Sequence, residues 1–386
     1  MDLMEIAING IKIAVIFLMM IQVVPLLVWV ERRGSAFIQH RYGPNRVGPL
    51  GLMQLLADAV KFLNKEEFVP PKGNAFVFYL APILALVPGM LAILVIPFAT
   101  PFAIPTFEVF GTVWGPYNLQ VQGAEVPLGI IYVLGVSSLA AYPILLAGWA
   151  SSNKYSLMGG LRASAQTISY ELALGMAVVG VVLLYGTFHL NDMIAAQEGV
   201  LSFSLFQNGY EFALLPNWGI FYQPLGFIIF FVCVFAESNR LPFDLPEAES
   251  ELVAGFHTEY SGFKMLMFYI GEYGHMIVGS ALVIIFYFGG YHIPYVSEEG
   301  LKSFVGNYIN GEYLVPFIVS VIYLHVFIVK LLICLWIFVW VRWTLPRFRY
   351  DQLMSLGWKK LLPWSIFNII ITSIFIYMAH AVNLGV

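Results

Sequence analysis

Cysteine is almost missing from this chain, which has two, Cys233 and Cys334, among its 386 residues. Both lie in apolar runs, and neither belongs to the Cys-x-x-Cys spacing typical of iron–sulfur and thiolate zinc sites. The chain is therefore expected to hold no iron–sulfur cluster and no thiolate-bound zinc. Each thiol is expected to be a small buried side chain.

Charged side chains are also scarce, at 11% of the residues, whereas hydrophobic side chains make up 60%. Several apolar segments exceed the roughly 18–20 residues needed to cross a bilayer. A soluble fold of this length could not bury so much apolar surface. The composition therefore predicts a polytopic membrane protein.

Three further features are missing from the sequence. No Gly-x-Gly-x-x-Gly motif follows a predicted strand, so no nucleotide site is expected. No internal repeat is visible, although inverted repeats are common in secondary transporters. The first residues include Asp2 and Glu5 rather than a basic region, and no small-x-small cleavage site follows, so the first apolar run is expected to remain as a spanning helix.

Hydropathy predicts an all-α protein with eight spans, in a single membrane domain that covers residues 1–386. Because lipid offers no partner to backbone N–H and C=O groups, we expect these spans to be helices. They are predicted near residues 6–30, 76–99, 126–150, 164–188, 223–238, 262–289, 313–341 and 363–384.

The distribution of Lys and Arg predicts the orientation of the spans. Sixteen of the 19 cations fall in alternate loops on one side. They are Arg32, Arg33, Arg41, Arg46, Lys61, Lys65, Lys72, Lys154, Arg162, Arg240, Lys264, Arg342, Arg347, Arg349, Lys359 and Lys360. The opposite loops, 100–125, 189–222 and 290–312, contain only Lys302, and Lys12 and Lys330 lie within spans. By the positive-inside rule both termini face outward. The loops 100–125 and 189–222 are expected to pack on the outer membrane surface.

The first basic loop, 31–51, contains Gly43-Pro44-Asn45 and Gly48-Pro49, which predict ordered turns. Residues 50–66 predict an amphipathic helix that lies in the membrane interface. Its polar face carries Gln54, Asp58, Lys61 and Lys65. The spacing fits either a plain surface helix or the lip of a lateral opening for a lipid-soluble substrate.

The segment 237–259 holds six of the chain's 23 carboxylates and one cation, Arg240. Carboxylates at a membrane boundary are costly unless they are hydrated, paired or functional. Asp244 fits a helix N-cap with Glu247 three residues later, so the helix dipole explains these two. Spacing alone leaves open whether the rest form a solvated face or a functional cluster.

Two carboxylates, Glu171 and Glu272, lie within predicted spans. Intramembrane carboxylates favour a functional role, and a chain of them favours a proton relay. With the acidic segment they form a candidate path from the cytoplasmic surface into the bilayer. Lys330 and His325 are candidates to extend that path. The alternative for Lys330 is that its ammonium pairs with another group.

These segments together carry a family resemblance. The matching motifs are Glu31-Arg32-Arg33, the stretch 39–48 (Gln-His-Arg-Tyr-Gly-Pro-Asn-Arg-Val-Gly), the stretch 57–61 (Ala-Asp-Ala-Val-Lys), Ser169-Tyr170-Glu171, the stretch 236–260 and Glu272-Tyr273. The chain resembles the quinone-site membrane subunit of respiratory complex I, called the H subunit in bacteria and the first subunit in mitochondria. The resemblance covers nearly the whole chain. It departs at the outer loops, which look longer than in compact members, and at Arg33, where many members have Lys.

The resemblance implies a membrane subunit of a proton-pumping NADH:quinone oxidoreductase. Such a subunit forms much of the chamber that admits quinone from the bilayer, and carries no redox centre. FMN and iron–sulfur clusters lie in hydrophilic partner subunits, and small and antiporter-like membrane subunits adjoin it. The implied location is the bacterial inner membrane or an organellar equivalent, with no nucleic-acid partner.

The resemblance also implies roles for particular residues. Quinone chamber or entrance roles fall to Arg33, Gln39, Arg41, Arg46 and Asp58. Proton-coupling roles fall to Glu171, Glu237, Arg240, Asp244, Glu247, Glu249, Glu251, Glu259 and Glu272. No catalytic or metal-binding residue is implied. The sequence does not specify the electron donor, so ferredoxin-, deazaflavin- or hydrogenase-linked relatives stay as alternatives, and a stand-alone transporter is a more distant one.

Overall fold

The computed structural model describes residues 3–109, 112–203, 210–245, 253–309 and 311–383. These ranges are mostly helical. The helices are α1 (Leu3–Ile38), α2 (Gln54–Asn64), α3 (Ala75–Ile93), α4 (Gly129–Ser137), α5 (Ala141–Ala150), α6 (Lys154–Tyr185), α7 (Leu190–Ala195), α8 (Gly219–Tyr222), α9 (Pro224–Glu237), α10 (Gly262–Tyr287), α11 (Glu298–Gly306), α12 (Leu314–Thr344), α13 (Tyr350–Ser355) and α14 (Leu362–Asn383).

Seven helical segments of the described chain are long and apolar enough to cross a membrane. They are Glu5–Ile38, Ala75–Ile93, Gly129–Ala150, Lys154–Tyr185, Gly262–Tyr287, Leu314–Thr344 and Tyr350–Met378. The remaining predicted span corresponds to α9, which is apolar but has 14 residues. That length gives about 21 Å of helix, less than the roughly 30 Å hydrocarbon core. The polytopic helical class is confirmed, and eight spans stay a prediction.

Several predicted boundaries are wrong. The basic loop was expected to begin at residue 31, but α1 continues to Ile38, so Arg32 and Arg33 lie on the helix. The fourth span was expected from residue 164, but α6 begins at Lys154, where Asn153 accepts a hydrogen bond from the Tyr155 amide at 3.0 Å. Hydropathy detects the apolar stretch alone, whereas a helix continues until a cap or a turn ends it.

The segments near the predicted loops 100–125 and 189–222 contain short strands that the sequence patterns did not predict. These are β1 (Ala99–Ile104), β2 (Phe107–Val109), β3 (Thr112–Trp114), β4 (Tyr117–Val121), β5 (Val200–Phe203) and β6 (Tyr210–Pro216). Strand β1 pairs with β4, β2 with β3 and β5 with β6, all antiparallel. The predicted end of the second span at residue 99 is therefore also wrong, because α3 ends at Ile93 and Ala99 begins β1.

The predicted amphipathic helix is confirmed as a helix, α2. Its apolar residues Leu56, Val60 and Leu63 are exposed. The turn predicted from Gly48-Pro49 is present, since the Gly51 amide donates to the Gly48 carbonyl at 3.3 Å. At Gly43-Pro44-Asn45 the described chain has a bend at Pro44 rather than a hydrogen-bonded turn.

Helix α10 lies at the centre of the bundle, since 83% of its apolar window is buried, against 17–50% for the other candidate spans. Its small residues allow close packing on α3: a Cβ added at Gly271 would lie 2.5 Å from the carbonyl oxygen of Ala85. Cys233 and Cys334 are buried free thiols, as predicted. Polar side chains of α10 such as Tyr273 and Ser280 are therefore held inside the protein.

Candidate functional site

Three side chains from different parts of the fold, Tyr273, Arg342 and Arg240, meet around the carboxylate of Glu31. We call these four residues the Glu31 cluster. The Tyr273 hydroxyl donates to Glu31 Oε2 at 2.5 Å, and the Arg342 guanidinium contacts Oε1. Nη1 of Arg240 lies 3.7 Å from Oε2. Cζ of Arg240 also lies 4.0 Å from the centre of the Tyr273 ring, a cation–π contact. Two guanidinium groups thus share one buried carboxylate.

Arg240 is the most buried cation of this cluster, at 7% exposure. It lies three positions after the end of α9, in a turn in which Asn239 has a φ of 50°. Burial acts to lower the pKa of Arg240, but Tyr273, Glu31 and Glu272 outweigh it and raise the pKa above its ordinary value. Among the described residues, Nε and Nη2 of Arg240 have no hydrogen-bond partner. The guanidinium is permanently charged, and its Nε and Nη2 groups are available to donate to a ligand.

The Glu31 cluster lies at one end of a cavity of about 190 Å³. Apolar side chains of α1, α10 and α12 form the rest of its lining: Leu27, Val30, Met276, Leu332, Leu335, Trp336, Phe338 and Val339. An apolar passage with charged donors at one end suits a ligand that has a polar head and an apolar body.

A second, smaller cavity of about 30 Å³ lies where α3, α5, α6, α9 and α10 meet, and we call it the acid pocket. Its polar lining is formed by Thr167, Glu237, Asn239, Glu272 and His275. The volume suffices for a water molecule bound by several polar groups. Glu272 also lies near enough to Arg240 to help raise its pKa, so the acid pocket and the Glu31 cluster are neighbours.

Two neighbours link the acid pocket to the rest of the bundle. Ser137 forms a side-chain hydrogen bond with Glu237, and the charge of Glu171 acts on Glu237 as well. The predicted coupling residues Glu171, Glu237, Arg240 and Glu272 are therefore neighbours in the structure.

A buried amide fixes the turn that carries Arg240. Gln166, in α6, donates through Nε2 to the carbonyls of Ala236 at 2.9 Å and Phe243 at 2.8 Å. The side chain is fully buried, so these bonds replace its contacts with water. Sequence reasoning missed Gln166, because a single Gln in an apolar helix gives no sign of its partners.

Other predicted coupling residues lie in separate contacts. Asp244 is buried and pairs with Arg347 at 3.0 Å. Glu259 accepts a hydrogen bond from Asn153 Nδ2 at 2.7 Å. Three predicted coupling residues, Glu247, Glu249 and Glu251, lie outside the described residues, and so does the helix start predicted from Asp244 and Glu247.

The predicted entrance residues fall into three groups. Cζ of Arg33 lies 5.1 Å from the Trp29 ring centre and 5.8 Å from that of Phe37. Arg41 donates through Nε to Gln39 at 2.7 Å, and both side chains are exposed, as is Arg46. Asp58 pairs with Arg32 at 2.5 Å rather than with Arg33. This last pair joins α2 to the C-terminal part of α1.

The chain matches the protein family described as NADH dehydrogenase over residues 11–373. The H subunit of the NADH-quinone oxidoreductase of Bdellovibrio bacteriovorus is 60% identical to it over 378 residues, which cover 98% of each chain. An H subunit from Geobacter sulfurreducens is 44% identical over 96% of each chain. That of Leptospira biflexa is 42% identical over 95% of this chain and 94% of its own.

The chain belongs to the family of NADH-quinone oxidoreductase H subunits. Members of this family are transmembrane subunits of complex I, an enzyme complex of the translocase class. The resemblance stated from the motifs is thereby confirmed.

Three residues of the Glu31 cluster were not among the predicted site residues of this complex I subunit: Glu31, Tyr273 and Arg342. Glu31 and Tyr273 belong to motifs that carried the resemblance, so a signal was present for both. For Glu31 it is a carboxylate at the end of a long apolar run, directly before two arginines. Arg342 had no comparable signal, because it resembles any basic residue near the end of a span.

His257 predicts a pH dependence for the turn of residues 255–259. Burial lowers the pKa of His257 from 6.5 to about 3. The folded turn therefore stays neutral at pH 5, whereas the opened turn takes up a proton below pH 6.5. The stability that neutral His257 contributes to the folded turn is therefore complete above pH 6.5. It is lost as the pH falls below that value, by about 2 kcal/mol at pH 5.

Hydrogen-exchange protection of the 255–260 amides in the assembled complex, corrected for intrinsic exchange, checks this expectation. Protection should drop between pH 7 and pH 5 in the wild type and in His40→Asn, which changes an exposed histidine. His257→Asn should lose this pH dependence. Equal pH dependence in wild type and His257→Asn would contradict it.

Proposed function

We propose that this chain forms part of the quinone chamber of complex I and couples quinone reduction to proton translocation. The observation that supports the proposal best is the Glu31 cluster at the end of an apolar cavity. A quinone has two carbonyl oxygens on a ring and an apolar tail. The N–H groups of Arg240 are donors suited to a ring carbonyl, Tyr273 holds Glu31 beside them, and the apolar lining is suited to the tail.

The chemistry of the substrate explains the choice of side chains. A quinone becomes a quinol by taking up two electrons and two protons. Negative charge develops on its oxygens when electrons arrive first. A fixed guanidinium such as Arg240 stabilises that charge strongly in a site that excludes water.

The same charge would act on the acid pocket. Arg240 lies close enough to Glu272 for their charges to interact, and Glu272 shares the pocket with Glu237. Negative charge on a reduced ligand beside Arg240 offsets part of the positive potential that this guanidinium creates at the acids. Proton uptake by the acids then becomes more favourable. Glu171 next to Glu237 continues the line of acids into the bundle. Coupled acids of this kind can pass a charge change along the membrane domain.

The arrangement in the membrane belongs to the same proposal. The chain forms one membrane domain with eight spans, α9 being the short one, and both termini face outward. The exposed apolar face of α2 lies in the interface. Arg33, Gln39, Arg41, Arg46 and Asp58 line the entrance on that side, and Asp244, Glu247, Glu249, Glu251 and Glu259 take part in coupling.

The partners follow from the family. We propose that quinone is the substrate and that FMN and the iron–sulfur clusters lie in hydrophilic partner subunits. Small and antiporter-like membrane subunits complete the complex, in the inner membrane of a bacterium.

Filling the cavity tests this proposal. Val339→Phe enlarges a buried side chain of the cavity lining. The variant is expected to raise the apparent KM for a long-tailed quinone about tenfold, because the larger ring takes volume that the tail would occupy; tenfold corresponds to about 1.4 kcal/mol of binding free energy. Steady-state kinetics of the assembled complex with long- and short-tailed quinones gives the measurement.

Val329→Phe is the matched control, since Val329 lies on the same helix and is 56% exposed. It should leave the KM unchanged, and electron transfer to an artificial acceptor at the hydrophilic arm should be normal in both variants. A wild-type KM in the assembled Val339→Phe complex would exclude the cavity from the quinone path.

A further inference from the structure

Lys330, in the middle of α12, has its ammonium enclosed by backbone carbonyls. Nζ donates to the carbonyls of Phe288 at 2.7 Å, Gly290 at 2.8 Å and His292 at 2.8 Å. Three hydrogen bonds from Nζ use all three N–H groups of a charged ammonium, whereas a neutral amine has only two. All three hydrogens are in use, so this geometry favours pairing over a relay. We call the three carbonyls and Nζ the lysine cage.

The lysine cage depends on a glycine turn at the outer end of α10. Gly289 and Gly290 have φ values of 69° and 53°, which residues other than glycine rarely adopt. Gln197 holds the same turn from the opposite side: it donates to the Ile285 carbonyl at 2.6 Å and accepts from the Gly289 amide at 3.0 Å. Gln197 and Lys330 thus both hold the backbone of this turn, through different groups.

The two helices joined by the cage meet again in the Glu31 cluster. Tyr273 of α10 and Arg342 of α12 bind the same carboxylate. At 1.5 Å per residue, Tyr273 lies about 22 Å from the cage along α10, and Arg342 lies about 18 Å from Lys330 along α12. The same pair of helices is thus linked by polar contacts at two distant levels.

The packing between these levels is interrupted. The cavity of about 190 Å³ adjoins α10 and α12 on the inner side, and another of about 260 Å³ adjoins both next to Lys330. Where side chains do not interlock, one helix can shift along the other at low cost. The polar contacts therefore have a large share in setting the register of the two helices.

We propose that Lys330 is a positioning residue for the Glu31 cluster. Its ammonium fixes the outer end of α10 against α12 and thereby keeps Tyr273 and Arg342 in register around Glu31. The inference rests on the proposed role of that cluster in quinone reduction. Without the ammonium, three buried carbonyls lose their partner, and α10 moves to satisfy them.

A double-mutant cycle in the assembled complex tests this inference. Lys330→Met and Tyr273→Phe are each expected to lower quinone reductase turnover about tenfold. If Lys330 acts through Tyr273, the double variant should also be lowered about tenfold, because the second change removes an arrangement already lost. Independent effects would multiply to about one hundredfold and would overturn the inference.

Controls separate the possible causes. Lys302→Met removes an ammonium paired with Glu298 on α11 and should keep full turnover. Lys330→Arg, which keeps the charge and the donors but not the three-point fit, should recover part of the turnover. If Lys330→Met does not assemble, Lys330→Arg takes its place in the same cycle, with a smaller loss and the same lack of additivity.

The outcomes also distinguish this inference from the proposed function. Wild-type turnover in Tyr273→Phe would contradict the role of the Glu31 cluster itself. A loss in Tyr273→Phe combined with wild-type turnover in Lys330→Met would leave that role intact and would overturn the positioning role of Lys330.

Discussion

Changing Arg240 to Gln should lower quinone reductase turnover of the assembled complex by about 10²–10³-fold, the usual effect of removing a preorganised donor that faces developing charge. The physical reason is specific to this site. Arg240 is buried, lies over Tyr273 and close to Glu31, and has two nitrogen atoms without partners among the described residues. Glutamine supplies hydrogen-bond donors but no charge to offset the two carboxylates, Glu31 and Glu272.

Arg349→Gln makes the same chemical change at an exposed ion pair, since Arg349 and Asp351 are 71% and 70% exposed. An exposed pair contributes about 0–1 kcal/mol, so turnover should stay near that of the wild type. Electron transfer from NADH to an artificial acceptor should be normal in both variants, which shows that electron input through the hydrophilic arm is intact. Wild-type quinone kinetics in an assembled Arg240→Gln complex would remove Arg240 from the site.

Changing Glu237 to Gln should separate electron transfer from proton translocation. Glu237 lines the acid pocket with Glu272 and His275, and Ser137 forms a hydrogen bond with it. The amide keeps the shape and much of the hydrogen bonding but carries no exchangeable acid proton. Proton translocation is expected to fall about tenfold or more, as is common when a group that transfers protons is removed.

Proton uptake into liposomes that contain the complex, measured beside quinone reduction in the same preparation, provides the data. Glu299→Gln is the control, because Glu299 is an exposed carboxylate on α11. It should pump normally. If Glu237→Gln reduces quinone and pumps as the wild type does, the acid pocket takes no part in coupling.

The sequence was sufficient for the helical class and for most of the helices. Long apolar runs mark spans directly, because only helices and closed barrels satisfy their backbone groups in lipid. The helix α2 followed from the spacing of Gln54, Asp58 and Lys61. The predicted helix boundaries were wrong where helices continue past the apolar stretch, as at Arg32 and Arg33. The strands β1–β6 were not predicted, because they are short and irregular.

The candidate site was predictable in part. Glu171, Glu237 and Glu272, which are neighbours in the structure, were singled out because carboxylates within or beside spans are costly and therefore conspicuous. Their role in coupling stays a prediction. The contact of Glu31 with Arg342 was not predictable, since 311 positions separate the two residues. Nothing in the local sequence specifies such a pair, because it depends on how α1 and α12 pack.

The lysine cage shows the same distinction. A lysine within a span signals an unusual site, and Lys330 was singled out for that reason. Its partners are backbone carbonyls of a turn 38–42 positions earlier. Backbone acceptors have no residue type, so no sequence pattern could have named them.

Photoaffinity labelling of the assembled complex by a quinone analogue, with the reactive group on the ring, tests whether the Glu31 cavity belongs to the quinone chamber. Peptide mapping should find label on the cavity lining, in the segments 27–31, 273–276 and 332–342, and excess quinone should prevent it. Labelling that quinone competes away but that falls wholly on other segments or other subunits would contradict the proposed chamber.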